Sequence, residues 1–531
     1  MKLILFEDDD LLVIHKPAGL NTHAPDLFAG EGIYEWLKNR EPRWQQLAII
    51  HRLDKETSGV MVFGKTVLAN RSLTAQFTER RVAKKYVLLT DRAVNFQTLT
   101  VESVLSRAGE KYVSRPVFPG GEQAETRFKK LSPVKIHGQE FISIEATPMT
   151  GRTHQIRTHA ASRGFPILGD VLYGGTPADR VCLHAMEISF SHPATNEKLV
   201  FFAPENFTEN ARYALRFSLI DGQDTNAFRL IHGAGDRERG WYVERLGDFL
   251  LSQSQNSLRV EQHAVLEALL KQIGARGVYH KILTRRMGRT STAQAAPQFV
   301  SGEKAPNEFM VRENEIQFAL SFNEGYSNGL FLDQRENRRR ILTGYIAPDF
   351  FLKRSPENFS VLNTFAYTCG FSVCAAKSGA TTTSLDLSKK YLEWGKKNFA
   401  LNGLDAAKHD FIFGDAFDWM KRLAKQNRQF DLIILDPPTF SQSKERGAFR
   451  AEKDYGKLVA AALPLLKRLG ILLASTNAAD VVPKVFLETI QSAIQQGGRK
   501  MVQQHYAPQP PDFPVSREEP AYLKTVWLKI A

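Results

Sequence analysis

The chain has 531 residues, of which 43% are hydrophobic and 24% are charged, so its composition excludes an intrinsically disordered protein. At roughly 100–200 residues per domain, this length predicts about three or four domains. No apolar run reaches the ~18 residues that span a bilayer. Acidic residues follow the first six residues, where a signal peptide would have its apolar region. We therefore expect a cytoplasmic protein with no membrane partner.

The cysteine content argues against disulfides and metal sites, and the charge favours certain partners. The chain has three cysteines, Cys182, Cys369 and Cys374, which are too few for a disulfide framework and are not spaced as metal ligands. We therefore expect neither disulfides nor a bound metal. The net charge of +13 favours a polyanionic partner such as nucleic acid, although many basic proteins have no such partner.

A short polar segment, HRLDKETSG at residues 51–59, stands between two apolar runs at residues 47–50 and 60–63. This pattern predicts a turn between two strands, with the Asp54 carboxylate on the turn. A carboxylate on a loop that rigid strands support is well placed to act as a catalyst. The alternative is an ordinary turn closed by Asp, Thr, Ser and Gly.

The other segments of the first domain are predicted mainly as strands. Residues 10–20 predict a strand that ends at a Pro/Gly turn. Residues 121–128 and 141–146 alternate as paired antiparallel strands do. Four cations at residues 80–85 lead into a further strand that has Tyr86 near its start.

Five motifs in this part of the chain resemble those of the RluA-type pseudouridine synthases, in the same order and at about the same spacing. They are HRLDKETSG at 51–59, KKY at 84–86, TGRTHQIRTH at 150–159, GDVLYG at 169–174 and LHA at 183–185. The resemblance covers about residues 7–204. It implies a mixed, mainly antiparallel sheet with a catalytic cleft across it, and RNA as the substrate. We expect no small N-terminal RNA-binding (S4) domain, which many members of this family carry.

The resemblance also implies roles for single residues. Conversion of uridine to pseudouridine breaks the N–C1′ bond and rejoins the base through C5, so no cofactor is expected. Asp54 matches the catalytic aspartate, which acts as a nucleophile or as a base on the sugar. Arg157 matches the arginine that keeps this carboxylate ionised. Tyr86 matches the tyrosine near C5, and Arg52 matches the residue that fills the gap left by the flipped uridine.

Other side chains in these motifs are candidates for RNA contacts. Three cations are assigned to RNA binding: Lys84, Lys85 and Arg152. Three histidines are interpreted as structural or RNA-contacting, because their spacing forms no metal site: His154, His159 and His184. For the residues taken singly, alternatives stay open. Arg157 is then a surface phosphate contact, Tyr86 a core residue and Arg52 a salt-bridge partner.

Residues 205–310 predict a linker followed by a small α+β module. Its predicted elements are strands at 226–232 and 241–245 and a helix at 260–273. A basic cluster follows at residues 285–289. The residues alone leave open whether this module is a platform for RNA or a plain spacer.

Residues 311–531 alternate between strands and helices, which is typical of a doubly wound parallel sheet. The predicted strands are 360–367, 381–386, 410–414, 430–435 and 470–475, with a helix at 389–402. A helix with a basic face is predicted to start within residues 329–340. Three strands end in an acid: Asp386, Asp415 and Asp436. Ligands of such sheets bind at the carboxyl ends of the strands.

These three acids suit S-adenosylmethionine as the cofactor. Asp386 can accept hydrogen bonds from the ribose hydroxyls and Asp415 from the adenine amino group, while Asp436 lies beside the sulfonium and the reacting base. Four further residues complete the predicted cofactor site: Gln334, Phe365, Tyr367 and Gly370, the last as a turn that lets the backbone approach the cofactor. A dinucleotide-binding domain is the alternative, but its Gly-x-Gly-x-x-Gly motif is absent.

The second half also resembles class I methyltransferases that modify bacterial large-subunit ribosomal RNA. The matching segments are FLDQR at 331–335, NTFAYTCGF at 363–371, YLEWGKKNFALNG at 391–403 and DPPTFS at 436–441, and the match covers about residues 225–531. Cys369 stands where these relatives usually have glycine.

Relatives of this kind methylate either cytosine C5 or guanine N7. Cytosine C5 needs a cysteine that adds to C6, and the corresponding segment here, ASTNA at residues 474–478, has none. Guanine N7 has its own lone pair and needs only positioning. Guanine N7 is therefore favoured over cytosine C5.

The sequence thus predicts a mixed, mainly antiparallel α+β pseudouridine synthase domain (1–204), a linker with a small α+β module (205–310) and an α/β Rossmann-like methyltransferase domain (311–531). We expect a bifunctional RNA-modification enzyme that acts on 23S ribosomal RNA, with S-adenosylmethionine serving only the second half. Two alternatives stay open: an RNA-binding ribosome-assembly factor with an inactive site, and a pseudouridine synthase that acts on transfer RNA. The oligomeric state is not indicated.

Overall fold

The computed structural model describes residues 2–118, 121–136, 138–283, 296–325, 327–352, 359–443 and 447–531, apart from the side chains of 441–448. It divides into two compact units, Met1–Pro25 with Glu31–Leu219, and Ile220–Ala531 with Asp26–Gly30. The predicted basic cluster at 285–289 lies outside the described residues. Within the described ranges, no helix has the length and apolar character needed to cross a bilayer, and no group of side chains is arranged to hold a metal ion.

The first unit contains twelve described strands and four described α-helices. The strands are β1 (Ile4–Glu7), β2 (Leu11–Lys16), β3 (Ala48–Ile49), β4 (Ser58–Gly64), β5 (Ala83–Thr90), β6 (Thr98–Ala108), β7 (Lys111–Arg115), β8 (Gln123–Lys130), β9 (Val134–Ile136), β10 (Gln139–Pro148), β11 (Leu183–Ser191) and β12 (Lys198–Phe202). The helices are α1 (Ile33–Lys38), α2 (Val67–Thr78), α3 (Gln155–Ser162) and α4 (Ala211–Leu219).

These strands form one sheet in the order β1-β2-β4-β11-β5-β10-β8-β6-β7, with β3, β9 and β12 paired to β4, β10 and β11. Only β4 and β11 pair in parallel among the described strands. The predicted mixed, mainly antiparallel sheet is confirmed. The predicted pairing of residues 121–128 with 141–146 is also found, because β8 lies antiparallel to β10 with Phe128 opposite Ala146.

The first unit continues past the predicted boundary at residue 204. Helix α4 lies beyond that boundary, and its Leu215 and Leu219 are buried in the same apolar cluster as the β2 and β4 strands. Phe207 is buried in a second cluster of this unit, beside β11. The compact unit therefore ends at Leu219. Apolar residues at helical spacing in α4, and not the polar stretch before it, determine where the unit ends.

The second unit begins with a small sheet of five described strands in sequence order. They are β13 (Ala227–His232), β14 (Trp241–Leu246), β15 (Phe249–Ser254), β16 (Gly277–Ile282) and β17 (Gln298–Gly302), and α5 (Val260–Ile273) connects β15 to β16. Two hairpins follow, β18 (Phe309–Glu313) with β19 (Ile316–Leu320) and β20 (Tyr345–Ala347) with β21 (Phe350–Phe351), separated by α6 (Arg335–Thr343). The predicted strands and helix of the middle module are present.

The rest of the second unit is an α/β sheet. Its strands are β22 (Ser360–Thr364), β23 (Thr381–Asp386), β24 (Asp410–Phe413), β25 (Phe430–Leu435), β28 (Leu466–Thr476), β29 (Met501–Tyr506) and β30 (Lys524–Ile530), with the hairpin β26 (Phe440–Ser443) and β27 (Gly447–Arg450) beside it. The helices are α7 (Gly370–Lys377), α8 (Lys389–Leu401), α9 (Ala416–Lys425), α10 (Ala451–Ala462) and α11 (Pro483–Gln496).

The strand order of this sheet is β24-β23-β22-β25-β28-β30-β29. The five strands from β24 to β28 are parallel, as predicted, whereas β30 lies antiparallel to both β28 and β29. The strands β29 and β30, which form this edge of the sheet, were not predicted from the sequence. The carboxyl ends of the parallel strands meet along one side, which brings their terminal acids together.

Helix α6 was predicted as a helix with a basic face, and in the structure its cations are buried. The Arg335 and Arg338 side chains are only 4% and 3% exposed. Arg338 donates to both oxygens of Glu313, at 2.6 and 2.7 Å, and Arg335 to both oxygens of Asp512, at 2.6 and 2.9 Å. The cations therefore face the protein interior, where acids from distant parts of the chain balance their charge.

Candidate active sites

The loop that carries Asp54 is fixed by buried polar side chains. Thr22 Oγ1 donates to the carbonyl of Leu53 at 2.8 Å and accepts from its N–H at 3.2 Å. The fully buried Lys16 ammonium donates to three carbonyl oxygens, those of Pro17, Leu20 and Lys55, the last at 3.3 Å. Asp54 thus sits between two residues whose backbones are tied to the end of β2 and to the loop that follows it. The predicted turn between two strands is confirmed.

A close approach of two strands follows the loop. Gly59 has a φ of +125° and pairs with Ala185 of β11. A Cβ atom at this position would overlap the Ala185 backbone. Glycine is therefore required for β4 to leave the Asp54 loop at this angle.

The Arg157 guanidinium, on α3, bridges two carboxylates. Its Nε and Nη2 donate to the buried Asp170 at 2.7 and 2.8 Å, and its Nη1 donates to Asp54 Oδ2 at 3.3 Å. Although burial opposes it, ion pairing with Asp170 and Asp54 raises the pKa of Arg157. The structure therefore brings the predicted pair Asp54 and Arg157 together. Asp170 was not predicted, although it belongs to the GDVLYG motif that carried the resemblance.

His154 approaches Asp54 from a second side. Its Nδ1 lies 2.9 Å from the Tyr173 hydroxyl, which accepts from the backbone N–H of Tyr112 at 2.8 Å. The hydroxyl proton is therefore available for Nδ1, which leaves the ring N–H on Nε2, 3.9 Å from Asp54 Oδ2. Burial lowers the pKa of His154, so a neutral imidazole presents this N–H to the carboxylate.

Asp54 lines a cleft of about 890 Å³. Lys84 and Tyr86, on one face of β5, also line it, and burial lowers the pKa of Lys84 and raises that of Tyr86. Arg52 and Arg152 line the cleft with exposed side chains.

Lys85, predicted to bind RNA like Lys84, lies outside the cleft. Successive side chains of a strand point to opposite faces, so Lys85 lies on the face of β5 opposite Lys84 and Tyr86. There its Nζ pairs with Glu187 at 2.9 Å. Lys85 is not among the residues that line the cleft.

In the second unit, Asp436 follows β25 and is held by a side chain from the segment before α6. Gln334 Nε2 donates to Asp436 Oδ2 at 3.2 Å and to Ser475 Oγ at 2.8 Å. Burial and the neighbouring Asp333 raise the pKa of Asp436 to about 7. Gln334 and Asp436, both assigned to this site from the sequence, are in contact. Asp333 was not singled out, although it lies in the FLDQR segment.

Asp386 fixes the turn that follows β22. Its two oxygens accept from the backbone N–H groups of Tyr367 and Ser388, each at 2.8 Å. Phe365, Tyr367 and Cys369 all have positive φ angles, of 58°, 50° and 62°. The turn is thus a strained backbone arrangement that an acid of the next strand holds in place.

Cys369 and Gly395 pack against each other behind this turn. A Cβ atom added at Gly395 would overlap the Cys369 sulfur. Gly370, predicted as the turn that approaches the cofactor, is the first residue of α7, and a Cβ there would lie 3.4 Å from Leu330. The turn before it, and not Gly370 itself, has the unusual backbone angles.

The ends of β23 and β24 offer a mixed polar and apolar surface. Asp415 caps α9 and accepts from the N–H groups of Phe417 and Asp418 at 3.0 and 3.2 Å. Leu387 and Phe413, which follow or end the two strands, are exposed by 42% and 49%. Neither apolar side chain was predicted from the sequence.

This donor set fits S-adenosylmethionine. Exposed apolar side chains suit the adenine ring, the Asp386 carboxylate suits the ribose hydroxyls and the acidic end of β25 suits a cationic sulfonium. Bound there, the cofactor would supply a methyl group for transfer.

Both units match known families. Residues 10–162 match the RNA pseudouridylate synthases and residues 252–529 the S-adenosylmethionine-dependent methyltransferases. The methyltransferase match begins inside the small five-stranded sheet, so that module belongs to the second family.

Individual proteins and a solved structure also resemble the second unit. The ribosomal RNA large subunit methyltransferase of Deinococcus radiodurans is 32% identical over 328 residues, which cover 60% of this chain and 76% of that protein. The ribosomal RNA large subunit methyltransferase K/L of Psychrobacter arcticus is 42% identical over 179 residues, 33% of this chain and 22% of that protein. The crystal structure of SMU.776 complexed with SAH is 27% identical with a TM-score of 0.52, covering 70% of this chain and 98% of that chain.

The fold and the two sites thus define a chain with two RNA-modification domains. It belongs to the S-adenosylmethionine-dependent methyltransferase family and carries an RluA-type RNA pseudouridylate synthase domain in its first unit. The predicted combination of the two domains is confirmed.

Proposed function

We propose that this protein is a bifunctional enzyme that isomerises uridine to pseudouridine with its first unit and methylates guanine N7 with its second, in 23S ribosomal RNA. The observation that carries the first activity is the contact between Asp54 and Arg157, with Asp170 holding the guanidinium in place. The guanidinium orients the Asp54 carboxylate and balances its negative charge. Asp54 is then available to the sugar of a uridine that enters the cleft.

In the proposed isomerisation, Asp54 acts at C1′ as a nucleophile, or as a base on the sugar, while the N–C1′ bond breaks. The base turns and forms the new bond from C5 to C1′, and where Asp54 has bonded to C1′ this bond breaks and the carboxylate is restored. C5 then loses its proton and N1, freed from the sugar, gains one, so that no other reagent is consumed. The neutral Tyr86 phenol is the group we place at the base. Arg52, exposed at the cleft, is the side chain we expect to occupy the gap of the flipped nucleotide. Lys84 and Arg152 are the proposed phosphate contacts.

Guanine N7 is favoured over cytosine C5 because no suitable thiol is present. Cys369 and Cys374 are buried, and burial raises the pKa of each to about 12. The third cysteine, Cys182, belongs to the first unit. Asn477 stands just past β28, where the C5 chemistry would need the nucleophile. Positioning alone suffices for N7, and the cofactor residues proposed for it are Gln334, Phe365, Tyr367, Gly370, Asp386, Asp415 and Asp436.

The substrate assignment is supported by the relatives, which are named as ribosomal RNA large subunit methyltransferases. The test uses ribosomal RNA from cells that lack this protein, incubated with the purified protein with and without S-adenosylmethionine. We expect pseudouridine under both conditions and N7-methylguanine only with the cofactor, both mapped by mass spectrometry. An unmodified RNA would contradict the enzymatic function and support an assembly role.

Two variants separate the activities. We expect Asp54→Asn to abolish pseudouridine formation, by at least about a thousandfold because a reacting group is lost, and to leave methylation intact. Asp436→Ala should have the opposite effect. The same RNA and the same two assays serve both variants, so each is the control for the other. Loss of both activities from either change would refute independent sites, and transfer RNA run in parallel tests the alternative substrate.

A further inference from the structure

A polar cluster lies where the small five-stranded sheet meets the α/β sheet of the second unit. It consists of Arg229 and Glu244 from the small sheet, Asp333 from the segment before α6, and Tyr522 just before β30. The Tyr522 hydroxyl donates to Asp333 Oδ2 at 3.0 Å, and Arg229 Nη2 donates to Glu244 Oε1 at 2.7 Å. We call these four residues the Asp333 cluster.

The Asp333 cluster lies on the side of Asp436 away from the proposed cofactor groups. Asp386 and Asp415 lie at β23 and β24, on one side of β25 in the strand order. Tyr522 precedes β30, on the other side. Asp333 adjoins Gln334, whose side chain bridges Asp436 to Ser475 in β28. A molecule that meets the cofactor at Asp436 from the β28 and β30 side therefore meets Asp333.

Asp333 and Asp436 form an acidic surface that suits a ligand with hydrogen-bond donors. Burial raises the pKa of Asp333, and Asp333 in turn raises that of Asp436. Both residues nevertheless keep some exposed surface, through which a ligand can approach. Within the part of the chain that the structure describes, no residue forms a hydrogen bond to Asp333 Oδ1, while Tyr522 holds Oδ2. Donors from a ligand would stabilise the ionised carboxylate in these surroundings.

The Watson–Crick edge of guanine supplies such donors. It presents N1–H and the 2-amino group side by side, and a carboxylate accepts such a pair with its two oxygens. Adenine and cytosine present one donor next to an acceptor. We therefore propose that Asp333, oriented by Tyr522, binds the N1–H and 2-amino group of the target guanine. This leaves N7, on the opposite edge of the purine, directed away from Asp333 and free to react.

The proposal rests on the proposed guanine N7 activity and adds to it the residue that selects the base. It is tested with an RNA fragment that contains the mapped nucleotide as guanosine or as inosine, which lacks the 2-amino group. Single-turnover methylation is measured for each fragment. We expect the wild-type protein to prefer guanosine by about tenfold or more, the size of one hydrogen bond to a charged group. Equal rates on the two fragments would overturn the proposal without any variant.

Substitutions at Asp333 and Tyr522 test whether Asp333 is the residue that selects guanine. Asp333→Asn should slow methylation of guanosine by about a hundredfold, because an amide keeps one acceptor of the two and points a donor at the base. The preference for guanosine should fall close to one. Tyr522→Phe should reduce the preference partly. Glu308→Gln, which removes a carboxylate from an exposed ion pair with Lys397, is the matched control and should change neither value.

Binding of S-adenosylmethionine, measured by calorimetry, separates base selection from cofactor binding and from misfolding. We expect its affinity in Asp333→Asn to stay within about threefold of wild type. A loss of cofactor affinity as large as the loss in rate would assign Asp333 to the cofactor and overturn the proposal. If Asp333→Asn fails to fold, an unchanged preference in Tyr522→Phe would overturn it as well. Methylation of a nucleotide other than guanine would instead refute the proposed function itself.

Discussion

The Asp54 carboxylate lies between a permanent cation and a neutral imidazole. Arg157 is held by the buried Asp170, and His154 is held by the Tyr173 hydroxyl. Each contact is thus set by a residue that does not itself touch Asp54. Both supporting residues lie in one short segment, 169–174, which explains why that motif accompanies the Asp54 loop.

The Tyr173 hydroxyl is expected to affect the rate of isomerisation. Tyr173→Phe removes the hydrogen bond that keeps the proton on His154 Nε2, so pseudouridine formation should fall by up to about tenfold, as for one lost hydrogen bond between neutral groups. The rate is measured in single-turnover reactions. Tyr112→Phe is the matched control, because it keeps the backbone N–H that Tyr173 accepts. A similar fall in both variants would contradict the role of the hydroxyl.

Asp436 should make the second unit less stable as the pH rises. In the folded protein its pKa is about 7, against 3.8 for an ordinary aspartate, so between these values the folded state binds more protons than the unfolded state. The free energy of unfolding therefore decreases from about pH 4 to pH 7. Asp436→Asn removes this effect and should raise stability at pH 8 but not at pH 4.

Urea unfolding without cofactor, followed by tryptophan fluorescence at both pH values, measures the difference. An equal gain at pH 4 and pH 8 would show that ionisation of Asp436 is not the cause.

At the scale of elements, helix α6 depends on buried ion pairs. Removal of Arg338 leaves the fully buried Glu313 uncompensated, and such a loss costs about 3–5 kcal/mol. We therefore expect Arg338→Met to lower the free energy of unfolding of the second unit by that amount. Lys397→Met, in an exposed pair with Glu308, should cost less than about 1 kcal/mol. Both are measured by urea unfolding.

The double variant Arg338→Met/Glu313→Leu completes the comparison. It leaves no buried charge, so it should recover much of the stability that Arg338→Met loses. If the double variant is as unstable as the single one, lost packing and not lost charge balance is responsible.

The sequence predicted some elements better than others, for physical reasons. Residues 260–273 have apolar side chains at helical spacing, and α5 has these same bounds. The burial of the α6 cations could not be predicted, because their partners Glu313 and Asp512 are remote in sequence. No strand was predicted at β30, and its antiparallel direction follows from its pairing with β28 and β29 in the fold.

The sites show the same contrast. The Asp54–Arg157 contact was predicted because a set of motifs implied it, and its residues were named. Lys85 was grouped with Lys84 by sequence proximity, but alternation along β5 separates them. Asp333 and Tyr522 come together only in the fold, since they are 189 positions apart in the sequence.

At the scale of the whole molecule, two catalytic units share one chain. Such a linkage raises the effective concentration of one site near an RNA that the other has bound. The end of the first unit determines which fragment of the chain can fold by itself. The polar stretch after residue 204 suggested a boundary there, while buried residues of the first unit continue to Leu219.

Two fragments test this boundary. A fragment of residues 1–219 should unfold cooperatively, while a fragment of residues 1–204 lacks Phe207, Leu215 and Leu219. Loss of large buried side chains costs about 2–5 kcal/mol each. We expect the shorter fragment to be less stable by at least about 3 kcal/mol, as measured by thermal and urea unfolding. Equal stability would place the boundary at residue 204.

The contact between Cys369 and Gly395 has a consequence for how this chain can vary among species. Any side chain at 395 would overlap the sulfur at 369. With glycine at 369, which tolerates the positive φ without cost, position 395 would be free to accept alanine. The two positions therefore constrain each other's substitution history: a lineage can acquire a side chain at 395 only after 369 has lost its own.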